Sequence, residues 1–223
     1  NDETRHYLNG IYLHKTILEN KSFLCGVATD SHRLSSSSIE IDQNVNIEPI
    51  ILPKKTIFQL IGLLEQSNKN IKISSNKSKI KFEMDNGVLI SKVIDGRFPD
   101  YSKVIPKDND KILEIKLNEF KNSIERVTTV SSDRKEGLKM LISKDSMQLS
   151  VNNPNSGEGV ENIKAKFNSN DLSISFNSRY LTDIASQIEN EMIAIYLKDP
   201  GSPVLIRDSL DKNSFHVVMP MKI

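Results

Sequence analysis

Asp30 and His32 stand two residues apart in Val27-Ala-Thr-Asp-Ser-His-Arg-Leu34, a carboxylate and an imidazole that could share acid–base work. The plainer role for Asp30 is to cap or close a turn after the strand that contains Val27. Ser35–Ser38 offers four hydroxyls in a row, but no Gly-x-Ser-x-Gly elbow surrounds them. Gly157-Glu-Gly159 lacks the third glycine and the preceding strand of a dinucleotide fingerprint, and no phosphate-cradling Gly-x-x-x-x-Gly-Lys-Ser/Thr loop occurs. The four histidines (6, 14, 32, 216) and one cysteine show neither His-Glu-x-x-His nor paired-Cys spacing, so neither zinc nor any other cofactor is expected. Nothing in the chain activates a nucleophile.

Composition narrows the classes further. With 37% hydrophobic and 26% charged residues, the chain reads as globular, and its apolar runs, such as Ile57–Leu64, are far short of a bilayer span. No membrane association, secretion signal or internal disulfide is expected, and the single Cys25 suits a reducing cytosol. The Asn-x-Ser matches at Asn20 and Asn76 are then incidental. A net charge of +1 excludes the strongly basic composition of proteins that grip DNA from outside, although a local positive surface remains open. The absence of Trp and an aromatic content of 6% argue against a base-stacking single-strand binder.

The elements repeat. From Ile51 to Pro106 the order is strand end, helix (Pro53–Gln66), Ile71-Lys-Ile-Ser, a turn, Lys79–Met84 and a further strand. From Ile174 to Ile223 it is strand end, helix (Ser178–Glu189), Met192–Leu197, a turn, Pro203–Arg207 and a final strand. Leu24–Thr29 and Met147–Val151 are matching strands upstream. Two copies of one topology explain the length, with a linker near Lys107-Asp-Asn-Asp110 separating unit 1–107 from unit 108–223. Further strands are expected at Ile11–Leu13, Val88–Val93, Glu114–Leu117, Met140–Ser143 and Leu172–Phe176, and Asp85-Asn-Gly87 signals a hairpin. The second copy adds a helix at Leu117–Val130 for which the first has no room, as in a chain that begins inside a domain. The class is α+β, antiparallel sheets with helices laid on one side.

On a helical wheel, Ile57, Leu60, Ile61 and Leu64 form the buried face of the first helix and leave Lys55 and Gln59 opposite. Leu117, Phe120, Ile124 and Val127 leave Asn122, Arg126 and Thr129. Tyr180, Ile184 and Ile188 leave Arg179, Thr182 and Ser186. Each outward face carries a cation or hydrogen-bond donors with few acids. It is either an ordinary solvated face or a surface for loose phosphate contact without base readout.

Thr29-Asp-Ser-His-Arg-Leu34, Asp95-Gly-Arg-Phe-Pro-Asp-Tyr101 and Val218-Met-Pro-Met221, with Asp2-Glu-Thr-Arg5 and Tyr7-Leu-Asn-Gly10, resemble the bacterial sliding clamp, the beta subunit of DNA polymerase III. The similarity runs over the whole chain and corresponds to the middle and last of that family's three repeated clamp domains, the middle one truncated at its start. It implies a non-enzymatic processivity factor of the cytoplasm and nucleoid, in which two subunits close head to tail around duplex DNA without sequence specificity. A chain of this extent would be unable to close that ring, which pairs the first domain with the last. Lys55, Gln59, Asn122, Arg126 and Arg179 would face the DNA, where attraction acts within a Debye length of roughly 8 Å.

The resemblance also implies a pocket for short linear peptides of the polymerase alpha subunit, the clamp-loader delta subunit and repair proteins. Carried over residue by residue, it comprises Arg5, Leu8, Thr29, Ser31, His32, Arg33, Leu34, Pro99, Lys103, Val104, Asn177, Tyr180, Val204, Val217, Val218, Met219, Pro220 and Met221. Leu8, Leu34, Val104, Val204 and Val218 would supply apolar walls, and Met219 and Met221 would adapt to different side chains. Arg5, His32 and Arg33 would meet polar groups. Two buried anchors contribute about 3–6 kcal/mol before ordering costs, consistent with exchangeable binding near ~1 μM. The terminal Val-Val-Met-Pro-Met is equally suited to closing a sheet. Ser31 stands where many relatives have Gly, which would narrow the pocket floor, and Lys103 where some have Arg, losing a planar fork. The reading from another class is a β-rich enzyme domain using Asp30 and His32; a third is a structural repeat with no nucleic-acid role.

Overall fold

Glu19 and Asn20 both adopt positive φ (48° and 64°), the backbone that a two-residue turn needs to match the twist of its flanking strands. They join β1 (Gly10–Leu18) to β2 (Lys21–Thr29) in register, Leu18 opposite Lys21 and Tyr12 opposite Val27. The computed structural model describes residues 4–67, 70–131 and 137–222. Asp2 and Glu3 of the Asp2-Glu-Thr-Arg5 motif lie outside the described residues.

The chain forms two compact units, residues 1–30 with 36–100, and residues 31–35 with 101–223. In the first, β3 (Arg33–Ile41), β2, β1 and β4 (Ile50–Pro53) form a sheet in that order; residues 33–35 of β3 belong to the second unit. α1 (Lys54–Leu64) follows β4, and β5 (Lys72–Ser75), β6 (Lys79–Met84) and β7 (Gly87–Lys92) form a meander. Met84 pairs with Gly87 across the expected Asp85-Asn86 turn. The core holds Ile50, Leu52, Ile80 and Phe82.

The second unit repeats the plan. β9 (Gly137–Ser143), β10 (Ser146–Asn153), β11 (Gly157–Lys164) and β13 (Leu172–Asn177) form a sheet in the order β11-β10-β9-β13. α3 (Ser178–Ala185) follows β13 as α1 follows β4, and β14 (Met192–Leu197), β15 (Val204–Asp208) and β16 (Ser214–Val218) form the meander. β8 (Lys111–Lys116) pairs with β14 on one side and with the short β12 (Lys166–Phe167) on the other, and α2 (Leu117–Val127) follows β8. Strict alternation on β9 and β10 sends Leu138, Met140, Ile142, Met147, Leu149 and Val151 inward. They meet Phe120, Ile124 and Val127 of α2 and Leu181 and Ile184 of α3 in one core. Asn109, within the 107–110 stretch, donates from Nδ2 to the carbonyls of Tyr196 (2.8 Å) and Pro203 (2.9 Å).

Among the described residues, β8 and α2 have no counterpart in the first unit, and α1 shows the consequence. Its Ile61, expected on the buried face, is 47% exposed, and Phe58 is 65% exposed; Ile57, Leu60 and Leu64 are half-buried and Thr56 is the buried residue. In the second unit α2 packs on α3, and Ala185 there is buried. The other helix bounds are shorter than expected. α2 passes into a 3-10 turn at Thr128–Val130, and α3 ends at Ala185, with Ile188 buried beyond it.

Three strands, β3, β11 and the short β12, lie where no strand was expected. The serine run is part of β3, where small Ser36 turns inward and shares a hydrogen bond with buried Cys25 (3.4 Å). Gly157-Glu-Gly159 opens β11. A Cβ on Gly159 would lie 2.5 Å from the Val127 carbonyl oxygen, so its missing side chain lets α2 close on the strand.

Candidate peptide-binding site

β16 ends by pairing Val218 with Val204 and Val217 with Leu205. Beyond Val218 the chain is held at two points by backbone bonds. The Met219 N–H donates to the His32 carbonyl (2.9 Å), and the Met221 N–H donates to the Ser175 carbonyl on β13 (2.7 Å). Pro220, which has no N–H to satisfy, sits between them. Two such bonds contribute about 1 kcal/mol each. The pinned backbone leaves the Met219 and Met221 side chains 43% and 37% exposed.

His32 therefore contributes its carbonyl to this site, and Arg33 contributes its guanidinium. The guanidinium carbon lies 4.3 Å from the centroid of the Tyr180 ring, and Nη1 donates to Asp183 Oδ2 at 2.7 Å. Tyr180 and Asp183 are three residues apart on α3, on one helical face. Asn177 caps that helix, its side chain accepting from the Arg179 N–H (3.0 Å), which fixes the first turn and with it the pitch of Tyr180. Ser35 Oγ and His216 Nδ1 share a hydrogen bond of 2.8 Å beneath the strand. Burial depresses the His216 pKa below its ordinary value, so the ring is held neutral.

Of the residues expected to line a pocket, Ser31, His32, Arg33, Leu34, Lys103, Val104, Asn177, Tyr180, Val204 and Val217–Met221 belong to this second unit. Leu34, Val204 and Val218 are buried, and Val204 and Val218 belong to the core of this unit. Val104, Met219 and Met221 carry the exposed apolar surface, and Lys103 is exposed beside Val104. Ser31 has φ 76°, a left-handed backbone that favours glycine; the position is set by main-chain geometry. Asp183 and Ser175 were missed from sequence. Asp183 was legible as the residue one helical turn after Tyr180; Ser175 acts through its carbonyl, which leaves no side-chain signal.

Arg5, Leu8, Thr29 and Pro99 belong to the first unit. Leu8 and Thr29 line a groove of about 650 Å³ there, with Thr4, Asn9, Lys54 and Ile57. The Arg5 carbonyl accepts the Leu8 N–H (2.8 Å) in a 3-10 turn. Gly96 has φ +142°, and a Cβ on it would meet Tyr7 Cβ at 3.2 Å, so the Asp95-Gly-Arg-Phe-Pro turn requires glycine. That turn delivers Phe98 flat against Tyr12 (4.8 Å, 6°), exposes Pro99 and presents the Asp95 carbonyl to His6 Nε2 (3.0 Å).

Lys55, Gln59, Asn122, Arg126 and Arg179 are all exposed on their helices. Arg126 is not an uncommitted cation. Its Nε and Nη2 donate to both carboxylate oxygens of Glu161 on β11 (2.5 and 2.8 Å), which holds the Glu161 carboxyl below its usual range. The expectation of scarce acids on that face fails because the acid comes from a neighbouring strand, invisible to a helical wheel.

Comparison with known proteins follows the same division. Residues 1–100 match the model of the DNA polymerase III beta subunit, central domain, and residues 102–222 that of its C-terminal domain. The beta sliding clamp of Caulobacter vibrioides is 35% identical over 223 residues, all of this chain and 60% of that protein. That of Escherichia coli K12 is 29% identical over 221 residues, 99% of this chain and 59% of that protein. The chain thus spans about 60% of the length of these relatives. A crystal structure of the Bartonella birtlesii sliding clamp bound to griselimycin superposes with a TM-score of 0.95 at 38% identity, covering 100% of this chain and 60% of that one. The Caulobacter crescentus sliding clamp superposes with a TM-score of 0.94 at 35% identity over the same shares. Two successive family domains, matched end to end over the repeat seen in the fold, place this chain in the DNA polymerase III beta subunit family, the beta sliding clamps.

Proposed function

We propose that this chain is the peptide-docking portion of a replicative processivity factor, a non-catalytic clamp subunit that rides on duplex DNA and tethers other proteins by short linear segments. The observation that carries the reading is the pinned tail of the second unit. Met219 and Met221 are exposed on a backbone fixed at His32 and Ser175, and the site also holds the Arg33–Tyr180–Asp183 assembly. Two flexible thioethers beside a stacked guanidinium suit a peptide with adjacent apolar anchors and one polar or acidic group. The occupants that fit are segments of the polymerase alpha subunit, the clamp-loader delta subunit and repair proteins, in a cytoplasmic, nucleoid-bound head-to-tail homodimer. No helix among the described residues is long and apolar enough to cross a membrane.

Lys55, Gln59, Asn122 and Arg179 are exposed and suit sequence-independent contact with DNA phosphates, with Arg126 a weaker participant while Glu161 holds it. A ring retained by topology needs little affinity, which is compatible with a net charge of +1. Titration of a fluorescent Gln-Leu-x-Leu-Phe peptide into this chain, against a scrambled control, tests the reading. Saturable binding near ~1 μM that weakens at least tenfold in Met219→Ala supports it. Equal binding of the scrambled peptide, or indifference to Met219→Ala, refutes it.

A further inference from the structure

The first unit carries a second feature unconnected with peptide docking. A groove of about 460 Å³ has Ile50, Ile51, Val93 and Ile94 in its walls and Lys77, Lys79 and Lys92 around it. Lys79 and Lys92 are direct cross-strand partners on β6 and β7. Side chains so paired have Cβ atoms about 5 Å apart, and like charges there destabilise a sheet. Lys77 is held next to them by a rigid turn. Asn76 Oδ1 accepts from the N–H groups of Ser78 (2.9 Å) and Lys79 (2.8 Å), and the Asn76 N–H donates to the Lys79 carbonyl (2.9 Å).

The neighbouring lysines of the same sheet are differently placed. Lys81 pairs with Glu83 at 3.0 Å and Lys72 reaches the same carboxylate at 4.0 Å. Lys77, Lys79 and Lys92 have no carboxylate partner among the described residues, and the one acid lining the groove, Asp95, pairs with none of them. In a chain of net charge +1, this is a local concentration of uncompensated positive charge.

We propose that this groove is an anion site for the phosphodiester backbone of DNA, separate from the helix faces that carry Lys55 and Arg179. The choice of phosphate follows from the donors. Three lysine ammoniums, mobile point charges clustered without a carboxylate partner among the described residues, suit the closely spaced single charges of a phosphodiester chain, and binding phosphate this way needs no arginine fork. The choice of backbone over base follows from Tyr12, the one aromatic in the lining, whose ring already stacks on Phe98 (4.8 Å) and His14 (4.6 Å). Contact is therefore independent of sequence, and it relieves the Lys79–Lys92 repulsion.

The experiment combines lysine footprinting with a salt titration. The chain is acetylated briefly with and without a mixed-sequence duplex of roughly 20 base pairs at about 50 mM salt, and modification is read by mass spectrometry. The duplex should protect Lys77, Lys79 and Lys92 at least threefold, while Lys21, ion-paired with Glu40 away from the groove, should be unprotected. In fluorescence anisotropy, the Lys77→Gln, Lys79→Gln, Lys92→Gln variant should bind the duplex at least fivefold more weakly. Its slope of log affinity against log salt should fall by about 0.9 for each lysine that meets a phosphate. Its urea midpoint should equal or exceed that of the parent, because a like-charge pair is gone. Unchanged protection at the three lysines, an unchanged salt slope, or protection by poly-glutamate in place of DNA would overturn the proposal. Because peptide titration reads a different unit, its outcome is independent of this one.

Discussion

Replacing Asp183 with Ala removes the carboxylate that fixes Arg33 over Tyr180 while leaving the ring and the guanidinium in place. The pair is partly open, with side chains 28% and 47% exposed, so its direct worth is about 0.2–1 kcal/mol. For a chain of this size that shifts the melting temperature by roughly 4 °C at most. The larger effect should appear in binding. In the parent, Arg33 is already ordered; in Asp183→Ala the peptide must order it, at about 0.5–1.5 kcal/mol for one long side chain. At 1.4 kcal/mol per factor of ten, affinity should fall by about 2- to 12-fold. Arg33→Ala, which removes the donor itself, should cost at least as much. The decisive element is the double-mutant cycle: if Asp183 acts only through Arg33, adding Asp183→Ala to Arg33→Ala should change nothing further. Calorimetric titration of the Gln-Leu-x-Leu-Phe peptide into the four proteins measures this, with urea midpoints as the folding control. Parent-like affinity in a folded Asp183→Ala protein, or an equal loss with and without Arg33, would refute the positioning role.

Three further outcomes follow from the second unit. Gly159→Ala should destabilise it by about 1–3 kcal/mol, because the new Cβ would lie 2.5 Å from the Val127 carbonyl oxygen; a urea midpoint unchanged from the parent would show that α2 shifts freely. His216 has a folded pKa below its unfolded value of 6.5, so the unfolded chain binds the proton more readily and stability falls as pH drops through that value. Urea midpoints between about pH 7.5 and 5.5 should decline more steeply in the parent than in His216→Gln, and equal slopes would contradict the assignment. The Glu161 carboxyl is held low by Arg126, so their bond contributes above the ordinary carboxylate pKa and is lost as pH falls through the lower folded value. Below that point, Arg126→Gln and the parent should have the same urea midpoint.

Much of the architecture was legible because period and punctuation agree. Alternation marks Met140–Ser143 and Leu172–Phe176, and Asp85-Asn86 sits between two alternating stretches. The repeat was legible from order alone. What stayed hidden depends on neighbours far away in the chain. β3 gave no strand signal because its inward residue Ser36 is a serine matched to Cys25, and Ile61 looked buried because a wheel assumes that something covers the apolar face. At the site, the family motifs pointed to His32, Arg33, Tyr180 and the terminal methionines. They were silent on Asp183 and on the carbonyls of His32 and Ser175, since a main-chain acceptor can sit under any side chain. Nor was it legible that Val204 and Val218 are fully buried while Val104 is exposed, because apolar character alone does not set burial.

The most direct measurement uses the six methionines of the chain, labelled on their methyl carbons and observed by NMR while the peptide is added. If the pinned tail forms the docking surface, the Met219 and Met221 resonances should shift saturably with the same midpoint. Those of Met140 and Met147, buried in the core of the same unit, should stay put. Peptide binding that leaves the Met219 and Met221 methyls unmoved would place the docking surface elsewhere and contradict the account.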